Sequence, residues 1–184
     1  KEYMNPAFKH MATDSADRES LGIAGFGIVR ASFDAAAPLC RGRWTEGRLS
    51  ATSAELGSII WALLLYRAYL YRRLSSRRRA LRSLIIWTDS QNSVNLLSRP
   101  LGDDWNSPLV RLARDIQHDI LQLGVTARVN WSPRLGPLLA LAHIEAKAAI
   151  DSPGQNTQLP DILLDCLRQS SAMFSSDPRV RPIQ

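Results

Sequence analysis

Asp14, Glu55, Asp89 and Glu145 stand where the sequence passes from one element to the next, and four carboxylates so placed could converge on one metal site. Acids packed together repel one another unless a cation neutralises them, so they seldom cluster for stability alone. Hard divalent ions suit such a set, because they take oxygen ligands and keep several waters. Asp89 is the sharpest of the four. It follows Leu84-Ile85-Ile86-Trp87, an apolar run that reads as a buried strand, and precedes Ser90, placed to cap a short helix bearing Val94, Leu96 and Leu97. In an open α/β sheet the functional crevice lies outside the strand ends. Taken alone, Thr88-Asp89-Ser90 is equally an ordinary helix cap, and Glu55 in a first helical turn is favoured by the helix dipole.

The elements that must hold these residues read in order. Residues 1–10 form a connecting arm, and residues 11–16 a short strand carrying Thr13-Asp14-Ser15. Residues 22–30 alternate small with apolar side chains, as a strand packed closely on its neighbours does. Gly22, Gly25 and Gly27 lack the spacing of a nucleotide-binding glycine loop. Residues 35–38 read as a loop and 42–48 as a third strand, which makes an antiparallel meander. A helix starts at Thr52 or Ser53, carries Leu56, Ile59, Ile60, Leu63 and Leu64 as its apolar stripe, and runs on through residues 66–73. Beyond Asp89 come a loop at 99–105, an amphipathic helix at 106–123 closed by Gly124, and a strand at 125–131. The last core helix covers about 138–150, stopped by Asp151-Ser152-Pro153-Gly154, with His143, Glu145 and Lys147 as its polar positions. The fold class is α/β: a five-stranded mixed sheet, three antiparallel strands and then two further strands, flanked by helices.

At 184 residues and 45% hydrophobic content, the chain suits one domain with trimmings. It begins at Lys1, which reads as a segment of a longer chain or a processed product. The longest apolar run, residues 56–66, is too short to span a bilayer, so no membrane partner is expected. Cys40 and Cys166 are too few and too far apart for a disulfide framework or a zinc site. They suit a reducing, intracellular compartment, with nucleus, cytoplasm and organelle left open.

The net charge of +6 comes from 23 Lys and Arg against 17 acids. A basic surface attracts polyanions, and arginine grips phosphate with two donors at once, although a basic chain can also be merely soluble. Seven arginines and three tyrosines lie between residues 66 and 82. Like charges this dense repel unless an anion neutralises them, which favours a phosphate clamp, supported by the tyrosines, over a solvated helix end. Arg72, Arg73, Arg77, Arg78, Arg79 and Arg82 are its candidate contacts.

The order of elements and acids over residues 11–151 resembles ribonuclease H. Thr13-Asp14-Ser15 is similar to the Asp-Gly-Ser of that family's first strand, with Ser15 in place of glycine. Ala54-Glu55-Leu56 matches the start of its first helix, Thr88-Asp89-Ser90-Gln91 its fourth strand, and Trp131-Ser132-Pro133 the end of its fifth. The pattern then departs. Leu135 stands at the usual histidine position and Glu145, counted without gaps, at the fourth acid; Asp151 is the alternative fourth acid if a gap is allowed. The stretch between Glu55 and Asp89 is longer than the family needs, and the excess is the arginine-tyrosine insertion at about 66–82. Residues 152–184 follow as a C-terminal extension with one amphipathic stretch at 162–167.

The resemblance implies a metal-dependent endonuclease that hydrolyses the RNA strand of RNA/DNA hybrids with two Mg2+ ions, Mn2+ being an admissible substitute. Asp14, Glu55, Asp89 and Glu145 would be catalytic and metal-binding. Ser15, Ser90, Gln91 and Asn92, beside the acids, would touch the nucleic acid. The partner would be an RNA/DNA hybrid or structured RNA, in a setting such as a retroelement reverse transcriptase polyprotein or another ribonucleoprotein assembly. The departures leave a second expectation open: a catalytically degenerate module that serves as an RNA- or protein-binding scaffold.

Overall fold

The computed structural model describes residues 9–31, 36–75, 83–134 and 136–181, with the side chains of 73–75 outside the description. The chain runs β1 (His10–Arg18), β2 (Ile23–Ala31), β3 (Ala36–Trp44), α1 (Ala51–Ser75), β4 (Ser83–Thr88), α2 (Gln91–Ser98), α3 (Ser107–Gln122), β5 (Thr126–Trp131), α4 (Pro137–Asp151) and α5 (Asp161–Ser176). The strands lie in the order β3-β2-β1-β4-β5. The first three pair antiparallel, and β4 and β5 add on parallel, which is the mixed sheet expected.

Alternation along the strands sends residues to two different layers. Met11, Phe26 and Ile28 join the core beneath α1, whose Leu56, Ile59, Ile60, Leu63, Tyr66 and Leu70 are fully buried. Ala12 and Val29 face the other way and pack on Leu139 and Ala142 of α4. That second layer is thin for a reason. A Cβ on Gly25 would stand 2.1 Å from the Ala146 carbonyl oxygen, and one on Gly27 would stand 2.2 Å from that of Ala142. The glycines of β2 therefore let the α4 backbone lie directly on the sheet.

The bounds of β3 and the start of α1 differ from the sequence reading. Residues 36–38, expected in a loop, open β3, which tolerates Pro38 because it is an edge strand and shifts register by a bulge opposite Ile28 and Val29. The strand stops at Trp44, not at residue 48, because the Trp44 indole turns to donate to the Gly47 carbonyl at 2.6 Å. Gly47 adopts φ +146°, which a side chain would resist. Helix α1 also starts earlier than expected. The Ser50 hydroxyl accepts from the Ser53 amide at 3.0 Å and caps it, so Glu55 sits beyond the first turn. The helix dipole then gives no account of Glu55.

The residues after α4 join the same core. Leu159, Leu163 and Leu167 are buried against α1 and α3. A buried hydroxyl chain ties the layers: Ser170 donates to Ser53 at 3.0 Å, and Ser53 to the Asn106 side chain at 2.7 Å. Ser171 donates to the Arg48 carbonyl, and Arg168 grips Glu46 with two bonds, so α5 also holds the β3–α1 turn. Among the described residues, no helix is long and apolar enough to cross a membrane.

Candidate active site

Asp14 is fully buried on β1, opposite Gly27 of β2. Pairing of β1 with β4 ends at Ala12 and Trp87, so beyond that point the two strands part and leave Asp14 and Asp89 facing a cleft. Glu55 enters from α1. The three carboxylates offer ligand oxygens that all lie within 4.8 Å of one another. Ser15 holds the group together: its hydroxyl donates to Glu55 Oε1 at 2.6 Å and its amide to Asp14 Oδ1 at 2.8 Å. The serine that replaces the family's glycine thus fixes a carboxylate, and its hydroxyl is committed there. Ser90 caps α2 through the Ser93 amide and sets the strand end that carries Asp89. Gln91 and Asn92 are exposed on the first turn of that helix.

Charge is concentrated at a cost. Burial, and then Asp89, raise the Asp14 pKa. Burial, and then the charge of Asp14, push Glu55 well above the ordinary carboxylate range. Glu55 Oε2 is closed to solvent and has no hydrogen-bond partner among the described residues. A buried carboxylate oxygen left unpaired is expensive unless a cation completes it.

Two basic side chains that the sequence reading did not place complete the site. His143 on α4 puts Nδ1 2.7 Å from Asp14 Oδ2. Arg134, three residues past the end of β5, donates from Nε to Asp89 Oδ2 at 2.7 Å and lies 3.7 Å from Asp14 Oδ2. Burial works against the Arg134 charge, but Asp14 and Asp89 outweigh it and raise its pKa. Its position follows from the parallel register, which sets Thr88 beside Trp131 and so brings the residues after β5 alongside Asp89.

The structure gathers Asp14, Glu55 and Asp89 and leaves the expected fourth acids elsewhere. Glu145 faces β3, 3.7 Å from the Arg41 guanidinium. Two residues along a helix is a turn of about 200°, so His143 and Glu145 cannot aim at one point, and it is His143 that faces the acids. Asp151, at the exposed end of α4, pairs with Arg18 at 2.6 Å.

The arginine-tyrosine stretch is divided. Tyr66 is fully buried, so its ring cannot support a bound strand, and Tyr69 is half-buried against the core. Arg67 is paired with Asp119 at 2.6 Å. Tyr71 and Arg72 are exposed. Arg77, Arg78, Arg79 and Arg82 lie outside the described residues, as does the side chain of Arg73.

No family model matches this chain, and no curated protein matches it. Solved structures do. The chain is similar to RNase H1 from the halophilic archaeon Halobacterium salinarum NRC-1, with 25% identity over 77% of this chain and 96% of that one, at a TM-score of 0.54. It is also similar to LC11-RNase H1, isolated from compost by a metagenomic approach and solved in complex with an RNA/DNA hybrid. There the identity is 18%, the coverage 78% of this chain and 97% of that one, and the TM-score 0.57. The fold is RNase H-like, and its cleft carries an acidic cluster able to hold metal.

Proposed function

We propose that the protein is a metal-dependent endonuclease that cuts the RNA strand of RNA/DNA hybrids. One observation carries the reading: on this fold, Asp14, Glu55 and Asp89 converge within 4.8 Å at a cleft where burial alone would have kept them apart. The donor set fits hard divalent cations such as Mg2+ or Mn2+. All three groups offer oxygen, and Glu55 Oε2 is a buried acceptor in need of a partner. When bound, such ions supply Lewis acidity and make water a competent nucleophile at neutral pH.

The chain's own residues do the rest. Asp14 and Asp89 hold the centre of the site from two neighbouring strands. Ser15 locks Glu55 in the rotamer that faces Asp14. Arg134 neutralises Asp89 and Asp14, and it stands where a phosphate oxygen entering the cleft would find a two-pronged donor. Gln91 and Asn92, exposed at the start of α2, are placed to meet the backbone of a duplex. Choice of the RNA strand would rest on 2′-hydroxyl contacts and duplex shape.

The test is cleavage of an end-labelled RNA/DNA hybrid in Mg2+ and in Mn2+. Loss of several kcal/mol of charge stabilisation predicts that Asp89→Asn lowers the rate about a thousandfold or more. An intact hybrid in both metals, bound equally by Asp89→Asn, would overturn the reading and leave a nucleic-acid-binding scaffold.

A further inference from the structure

The imidazole of His143 reaches the acids because α4 lies on bare glycine. With Gly25 and Gly27 beneath it, the helix backbone sits close enough for a side chain of modest length to touch Asp14 across the sheet. We propose that His143 is a direct ligand of a cation that it shares with Asp14, at the edge of the site outlined by Asp14, Glu55 and Asp89 rather than among their three converging oxygens. The proposal rests on the reading of those acids as a cation site.

Three observations support it. Two ligands at right angles on a small octahedral ion, each about 2.1 Å from it, stand about 3 Å apart. His143 Nδ1 and Asp14 Oδ2 stand 2.7 Å apart, which is the spacing of neighbours in one coordination shell. Second, Asp14 Oδ2 is also the oxygen that Arg134 Nη2 approaches, while Arg134 Nε binds Asp89. Basic groups from two separate elements thus collect at Asp14 Oδ2, where negative charge also draws a cation. Third, the acids nearest in sequence to His143 are committed elsewhere, Glu145 to Arg41 and Asp151 to Arg18.

The consequence is a change in metal preference. An imidazole nitrogen favours transition metals over Mg2+, whereas carboxylates serve Mg2+ and Mn2+ alike. The unmodified protein is therefore expected to prefer Mn2+ to Mg2+ by a wider margin than an all-carboxylate site would. His143→Asp should restore the balance and lower the Mn2+-to-Mg2+ affinity ratio about tenfold.

Mn2+ is the probe, and pulsed electron paramagnetic resonance is the readout, since it reports nitrogen bonded to the ion independently of turnover. The expected result is a nitrogen coupling in the unmodified protein. It should be absent from His143→Asp, which still binds Mn2+ and in which Mg2+ competes more effectively. If Mn2+ binds, is lost in Asp89→Asn, and shows no nitrogen in the unmodified protein, His143 only props Asp14 and the inference falls while the acid site stands. If the unmodified protein binds no Mn2+ at all, both fall together.

Discussion

Asp14 and Glu55 bind their protons more tightly in the folded chain than carboxylates do in an unfolded one, because burial and neighbouring acids penalise the charged forms. The folded state then holds more protons than the unfolded state over the interval between the ordinary and the raised values. Stability contributed by these groups therefore falls as pH rises through that interval. The cation-free protein should lose melting temperature as pH rises above the ordinary carboxylate range, Glu55→Gln should flatten that loss, and saturating Mg2+ should abolish it. Melting curves within and above that range check this, and a slope indifferent to both Glu55→Gln and Mg2+ would contradict it. Arg134 enters the same balance with the opposite sign. Arg134→Gln removes the charge that quiets Asp89 and Asp14, so it should lower cation-free stability while enlarging the gain on adding Mg2+. An unchanged gain, read in the same melts, would mean that Arg134 leaves the acids without cost. At this scale the sequence made three acids legible, since each lies inside a short motif at an element boundary. His143 was not legible. Counting residues along a chain selects Glu145, whereas the rotation of α4 about its axis, set by Ala142 and Ala146 lying on glycine, selects the side chain two positions earlier.

The elements themselves were easier to read, because periodicity survives translation into structure better than register does. Alternation marked β2 and β5, a continuous apolar run marked β4, and the stripe from Leu56 to Leu64 marked α1. The errors fell where an edge relaxed the rules: Pro38 is excluded from a central strand but harmless in β3, and Ser50 outranks Thr52 and Ser53 as the cap of α1. The element on which the site depends most is β2, whose glycines set the height of α4. In Gly27→Ala the new methyl would meet the Ala142 carbonyl oxygen at 2.2 Å and the Ala146 amide nitrogen at 2.6 Å, both backbone atoms with no rotamer to yield. We expect a loss of about 1–3 kcal/mol, at roughly 2–4 °C per kcal/mol for a chain of this size, together with weaker metal binding as His143 is lifted from Asp14. Thermal melts with and without Mn2+ measure both, and an unshifted melting temperature would show that α4 does not rest on this glycine.

For the molecule as a whole, α5 is the piece whose role the sequence did not disclose. Its apolar positions were visible at 162–167, but nothing in their spacing said that they would close the core over α1 and α3. Nor could polar residues such as Ser53, Asn106 and Ser170 be foreseen as one buried chain, since each is an ordinary surface residue until the others cover it. Ser170→Ala removes one of the two hydroxyls that donate to Ser53, Ser50 keeping the other, and should cost about 0.5–1.5 kcal/mol. Denaturant unfolding checks the magnitude; a change within a few tenths of a kcal/mol would show that water replaces the lost hydroxyl.

The closure of the core by α5 also sets an order of events during synthesis. While the chain is emerging from the ribosome, α1 and the acids at its head are complete long before residues 161–176 appear. Until those residues arrive, the face of α1 that receives Leu163 and Leu167 stands bare, and the turn that Arg168 and Ser171 will hold has no anchor. A nascent chain in that condition needs shielding from its neighbours, and its cleft is not yet fixed in shape. The site's shape is therefore fixed late, with the arrival of a helix that carries none of its charged residues.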